Sequence, residues 1–125
     1  FVVTLEIRCE GKSVTFVEIK SANSIESIFT RKQADKQMRE RFELLAEECP
    51  LPILIGFSII GTKVCTYSMD TGSKVLTPFK ICEDNSGRIQ DLAPKSFWNL
   101  DISNEIDFDQ FIKQHLTIKE MCSNV

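Results

Sequence analysis

The sequence predicts one α/β (α+β) domain, a mixed β-sheet flanked by helices in the order β-β-α-β-β-β-α. Three observations predict it. Period-two alternation opens the chain and returns after a short turn. A helical apolar stripe then leads into "ILIGFSII", whose continuous apolar character marks a strand covered on both faces. A second amphipathic helix closes the chain. The 125 residues form a single domain, 1–125, with no linker to divide it.

"FVVTLEIRC" alternates, with Phe1, Val3, Leu5, Ile7 and Cys9 on one side and Thr4, Glu6 and Arg8 on the other. That pattern predicts a half-buried strand. "EGK" turns at Gly11, and "SVTFVEIK" returns as the second strand of a hairpin. A helix follows between Ser24 and Glu48. Ser24 caps it if it starts early; Thr30 with Gln33 forms a capping box if it starts late. Ala34, Met38, Phe42 and Leu45 share its apolar face, and Lys32, Lys36, Arg39 and Glu43 lie opposite.

"CPLP" stops the helix and "ILIGFSII" follows. Gly61 turns the chain into "TKVCTYSMD", a further alternating strand. "TGSK" is a turn, and "VLTPFKI" is expected at a sheet edge because it holds Pro78. Residues 83–96 read as a polar loop. The last helix is capped by Ser103 or Asn104 and shows Phe108, Phe111, Ile112, His115 and Ile118 on one face.

Composition narrows the function classes. A net charge of −3 argues against coating nucleic acid through bulk charge, but leaves room for an enzyme with a local basic track. No run of about 18 apolar residues occurs, so no transmembrane helix and no membrane partner are expected. The opening "FVVTLEIRC" lacks both the basic start of a signal peptide and a Met, which suggests a processed chain or a fragment. Five cysteines, at 9, 49, 65, 82 and 122, include no C-x-x-C pair. Their odd number and wide spacing point to reduced thiols in the cytoplasm or nucleus, not to a disulfide frame or a zinc site.

The chemistry concentrates at the end of the second strand. Glu18 and Lys20 are two residues apart, so they point to the same face just where the strand stops. They form either a surface ion pair or half of a metal site. Gln33 and Gln37 flank the apolar stripe of the helix that follows.

The E-x-K of Glu18–Lys20, ending a hairpin and followed by a Gln-bearing helix and a buried strand, resembles the core of the PD-(D/E)xK nuclease superfamily. This is the restriction-endonuclease-like fold. The resemblance covers roughly residues 1–68. "RKQADKQMRERFELL" and "LIGFSIIGTKVCTYSMD" are also similar to fungal proteins with a nuclease-like domain. The resemblance implies hydrolysis of phosphodiester bonds in nucleic acid with Mg²⁺ or Mn²⁺. Glu18 would bind the metal, and Ile19 would lend its backbone carbonyl. Lys20 would position the attacking water and steady phosphate charge, and Gln37 or Gln33 would orient the lysine or a phosphate. A hard cation wants such oxygen ligands, and a neighbouring ammonium adds positive charge where negative charge grows.

The family's second acidic ligand, at the start of the first hairpin strand, has no counterpart here. The expected position lies before Phe1, and Glu6 is the only in-strand substitute, read as solvated. The chain is then either a fragment, truncated at its N-terminus, or a degenerate member that keeps the fold without the chemistry. A non-catalytic protein-interaction module on the same scaffold is the alternative, and an unrelated α+β domain with a surface Glu18–Lys20 pair is a third reading. Expected partners are nucleic acid, a second copy of the chain, or a larger parent protein.

Lys32, Lys36 and Arg39, flanked by Arg31 and Arg41, form a basic helical stripe. Interleaved Asp35, Glu40, Glu43, Glu47 and Glu48 predict i,i+4 pairing on a wet face. His115 reads as a core or boundary histidine, and Trp98 as an anchor for the loop before the last helix. Gly56 and Gly61 do not form a phosphate loop, since no G-x-x-x-x-G-K-[ST] occurs.

Overall fold

The structure, a computed structural model, describes residues 2–124, with the backbone alone at Val2 and Ser24. Phe1, which heads the first predicted strand, lies outside the described residues. Strands β1 (Val2–Cys9) and β2 (Lys12–Lys20) form the expected antiparallel hairpin. Glu10 and Gly11 both take positive φ, 52° and 80°. A two-residue turn of that kind matches the twist of the strands it joins, and glycine relieves half of its cost. The register slips between Ile7 and Arg8, which leaves Val14 as the extra residue of a bulge.

Helix α1 (Ile28–Leu45) carries the chain over one sheet face, so β3 (Ile53–Ile60) returns parallel to β2. Strand β4 (Lys63–Asp70) turns back antiparallel, after Gly61 at φ 62°. The short β5 (Leu76–Thr77) and β6 (Leu100–Asp101) both pair with β4. Helix α2 (Glu105–Ser123) closes the chain. The six-stranded mixed sheet runs β1-β2-β3-β4-β5, with β6 beside the start of β4. The predicted class and order hold. Strand β6 and two 3-10 turns, Ala22–Glu26 and Lys95–Phe97, are additions.

Each sheet face has its own core. Phe16, Met38, Phe42, Leu54 and Tyr67 pack under α1; Val17, Phe57, Val64, Leu100 and Ile118 pack under α2. This double covering is why β3 is apolar on both sides. Gly56 in β3 makes room for the rings beside it. A Cβ there would stand 2.7 Å from Phe16 Cζ and 3.0 Å from Phe42 Cε2. Those two rings meet edge to face with centroids 5.0 Å apart.

Several expectations are corrected. The 3-10 turn takes up residues 22–26, so α1 is capped by neither Ser24 nor Thr30. Its cap is Ser27, whose Oγ accepts from the Thr30 N–H at 3.2 Å. The apolar side of β1 is covered only in part: Cys9 is half-buried, but Leu5 is 53% and Ile7 46% exposed. The reason is placement. Helix α2 packs over Phe57, Val64 and Leu100 and reaches β1 at Cys9. Only Leu76 and Thr77 of "VLTPFKI" join the sheet, because Pro78 has no N–H with which to extend the ladder. Asn104 is the cap of α2, accepting from Ile106 and Asp107 N–H groups. Phe111, His115 and Ile118 turn toward the sheet, whereas Phe108 and Ile112 stand further round the helix and are exposed.

His115 stacks on Phe57 at 4.8 Å with an interplanar angle of 8°, and its Nδ1 lies 2.9 Å from the Phe111 carbonyl. It is a boundary histidine. The polar loop is pinned by Arg31, which is buried. Its guanidinium donates to the Ala93 and Ile25 carbonyls and to Asp91. Trp98 anchors the loop end, with Nε1 3.3 Å from Ser58 Oγ. All five cysteines are free thiols. Among the described residues, no helix is long and apolar enough to cross a membrane.

Candidate functional site

Alternation along β2 puts Phe16, Glu18 and Lys20 under α1 and Val17 and Ile19 under α2. Glu18 and Lys20 therefore lie side by side, but they are not a surface pair. Glu18 is 5% and Lys20 8% exposed. The ion pair that reaches Glu18 comes from α1 instead: Arg41 Nε is 3.8 Å from Glu18 Oε1. Burial pushes the Glu18 carboxyl above the usual range, and the charges of Arg41 and Lys20 draw it part of the way back.

Glu18 Oε2 is buried without any hydrogen-bond partner, and so is Gln37 Oε1. Both residues line one cavity of about 270 Å³, walled by Thr4, Glu18, Gln37, Glu40, Arg41 and Leu44. Of the two glutamines the sequence offered, Gln37 faces this cavity, while Gln33 is exposed. Lys20 borders Glu18 but does not line the cavity. Ile19 turns its side chain into the α2 core.

Glu6 is not the solvated residue expected. It is half-buried on the α1 side of β1, where Ser13 Oγ donates to Oε2 at 2.9 Å and Arg41 approaches Oε1 at 3.3 Å. The Ser13 hydroxyl, with Arg8 and Arg41, holds its carboxyl below the usual range against the opposing effect of burial. Arg41 thus links Glu6 to Glu18. Thr4 lies directly across the ladder from Glu18, so the β1 position nearest the glutamate is neutral.

The basic stripe of α1 is not an open positive face. Arg31 is buried, Lys32 pairs with Glu83, and Lys36 stands 4.0 Å from Glu40. The i,i+4 pair Asp35–Arg39 forms, at 2.9 Å, but in the interior and not on a wet face. Tyr67 donates to the same carboxylate at 2.6 Å. A larger hollow of about 590 Å³ lies between α1 and residues 80–83. Its Lys32 and Arg39 are already engaged with Glu83 and Asp35.

Sequence reasoning missed Thr4, Glu40 and Leu44 in the cavity wall, and Arg41 as the bridge between two strands. One signal could have found the helical ones. Residues 37, 40, 41 and 44 follow i, i+3, i+4, i+7 spacing and so share the face that carries Gln37.

The residues fit a hard divalent cation in one respect. Two unpartnered buried oxygens, a carboxylate and an amide, belong to residues that line the same cavity, and Mg²⁺ takes few protein oxygens and keeps several waters. Among the described residues, no group of three or more His, Cys, Asp or Glu gathers as a metal centre. No family model, curated protein or solved structure matches the chain.

Proposed function

We propose that this chain is a metal-dependent nuclease-like domain of PD-(D/E)xK type that hydrolyses phosphodiester bonds in nucleic acid. The observation that carries the reading is the pair of buried, unpartnered oxygens, Glu18 Oε2 and Gln37 Oε1, on two residues that line one cavity. An orphaned buried carboxylate oxygen is costly to the fold, and a ligand that satisfies it gives the cost a purpose. Glu18 and Gln37 would hold Mg²⁺ or Mn²⁺, with the Ile19 carbonyl as a further donor. When bound, the cation would neutralise phosphate charge and acidify a water.

The chain's own groups then have separate tasks. Glu18 presents an oxygen already stripped of water, so it gives up no hydration on binding. Lys20, held on the same face two residues on, sets an ammonium beside the carboxylate where phosphate charge would collect. Glu6 keeps Arg41 engaged at the rim. The setting is intracellular, cytoplasm or nucleus, in keeping with five free thiols.

The test is cleavage of a mixed panel of DNA and RNA, single- and double-stranded, in Mg²⁺ or Mn²⁺. Lys20→Ala should abolish cleavage while the circular dichroism spectrum and melting transition stay. Equal cleavage by wild type and variant would sink the assignment.

A protein-interaction module on the same scaffold is the second reading. It is favoured by the guanidinium of Arg41 beside Glu18, where a cation is already supplied by the chain, and by the neutral Thr4 opposite. Absence of cleavage and of metal binding in the wild type would turn the assignment to it.

A further inference from the structure

Strand β4 is bordered on its outer side by two short strands that do not meet. Strand β5 pairs with Ser68 and Met69, and β6 pairs with Lys63 and Val64. Both ladders head for the same residue. On the β5 side, Asp70 N–H donates to the Val75 carbonyl at 3.0 Å; on the β6 side, Ile102 N–H donates to the Thr62 carbonyl at 2.9 Å. Hydrogen-bonded pairs recur at every second residue of an antiparallel ladder. The even-numbered residues of β4 therefore turn N–H and C=O outward, and Thr66 comes next in each series. Neither ladder reaches it. Pro78 ends the first, and its carbonyl accepts instead from Arg39. Trp98 leaves the second, its N–H donating to the Lys95 carbonyl in a 3-10 turn. Among the described residues, no hydrogen bond reaches the Thr66 N–H or carbonyl from this side.

A hollow of about 370 Å³ lies at this break. Thr66 lines it, with Thr77 where β5 ends and Asn99 just before β6. Phe97 adds a ring, and Gln110 and Gln114 add amides from α2. Thr66 Oγ1 donates to Gln114 Oε1 at 3.4 Å, which leaves the amide N–H groups of Gln114 for other acceptors. None of the described residues lining the hollow carries a charged side chain. The Cys65 thiol at its inner side is pushed up to about 12 by burial, so it too is neutral.

We infer that this break in the sheet edge is a subsite for one unpaired nucleobase of a single-stranded substrate, held edge-on by the Thr66 N–H and carbonyl. The inference rests on the nucleic-acid substrate proposed above for its choice of occupant, and adds the strandedness. Thr66 offers a donor beside an acceptor, and the Watson–Crick edge of every base presents an acceptor beside a donor. That edge is engaged in a duplex, so only an unpaired base can use it. Neutral hydroxyls and amides with one ring suit a planar, uncharged, polar group, and the volume falls within the range of small-ligand sites. A charged ligand would find no counter-charge in these walls.

The experiment follows the Thr66 amide by NMR on the full chain, isotope-labelled, in EDTA so that no cleavage intervenes. The probe is uridine and the control is N3-methyluridine. The methyl group takes the donor from the base edge and keeps the ring and sugar, and the chemistry is changed on the ligand, so the fold is untouched. The expected result is a saturable shift of the Thr66 amide with uridine, and binding of N3-methyluridine weaker by at least about tenfold. A mixed-sequence RNA strand should displace uridine, and the same sequence annealed into a blunt duplex should not. Equal binding of the two nucleosides would overturn the edge-on arrangement. Displacement by duplex and strand alike would overturn the single-stranded assignment. Cleavage of the strand in Mn²⁺ with no shift at Thr66 from either uridine or the strand would overturn the subsite and leave the proposed function standing. A shift at Thr66 with no cleavage in Mn²⁺ would leave the subsite standing and sink the nuclease.

Discussion

Arg41 Nε lies 3.8 Å from the carboxylate of Glu18, reaching from the crossover helix to the end of the second strand. The contact is long for an ion pair and leaves the other glutamate oxygen without a partner. Glu18 is thus buried faster than it is compensated, and its carboxyl is raised by burial despite two nearby cations.

The titration of Glu18 in the metal-free chain follows from that balance. Arg41 and Lys20 both lower its pKa, with Arg41 the larger influence. Arg41→Gln should raise the pKa further, and Lys20→Gln should raise it less. Carbon-detected NMR of the Glu18 carboxyl across pH 3–9 (roughly the span of carboxyl values in proteins) reads both shifts. A fall in either variant would show that the cations do not face this carboxylate.

Stability should depend on pH with an unusual sign. The folded pKa of Glu18 is raised, so the native chain holds the proton more tightly than the unfolded one. Its contribution is fully present below the ordinary glutamate pKa and declines as pH rises through the raised folded value. Glu18→Gln removes that decline. The variant should match or exceed wild type at pH 7, by on the order of 1 kcal/mol, and the advantage should shrink toward pH 4. Urea unfolding at both pH values measures it. A variant clearly weaker than wild type at pH 7 would mean that the Arg41 contact outweighs burial.

Asp35 is the opposite case, a buried carboxylate with its partners in place. Tyr67 donates to Oδ1 at 2.6 Å and Arg39 to Oδ2 at 2.9 Å, while Arg39 also donates to the Pro78 carbonyl. Asp35→Ala takes the acceptor from the Tyr67 hydroxyl and the counter-charge from the Arg39 guanidinium, and should cost about 3–5 kcal/mol. Tyr67→Phe removes one bond and should cost about 1–2 kcal/mol. Denaturant midpoints of both variants give the comparison. A cost for Asp35→Ala no larger than that for Tyr67→Phe would show that Arg39 finds another acceptor.

The sequence by itself determined the order of elements, the hairpin turn at Gly11, the doubly covered β3 and the shared face of Glu18 and Lys20. These are local properties. Period-two alternation, a continuous apolar run and a glycine at positive φ act through neighbours along the chain. Gln37, too, was legible as a flank of the apolar stripe.

Only the tertiary structure decided burial and partnership. Leu5 and Ile7 carry the same alternation as a covered strand, yet stand exposed because α2 lies over β3 and β4. Arg31 and Asp35 read as a wet helix face, yet are buried because residues 78–99 fold back over α1 and Tyr67 reaches up from β4. Glu6 and Glu18, twelve residues apart, are tied by an arginine from the next element. Glu40 joins them only because α1 crosses above the hairpin. A polar residue's partner is fixed by how elements pack, and the periodicity of a single element holds no record of which neighbour will cover it.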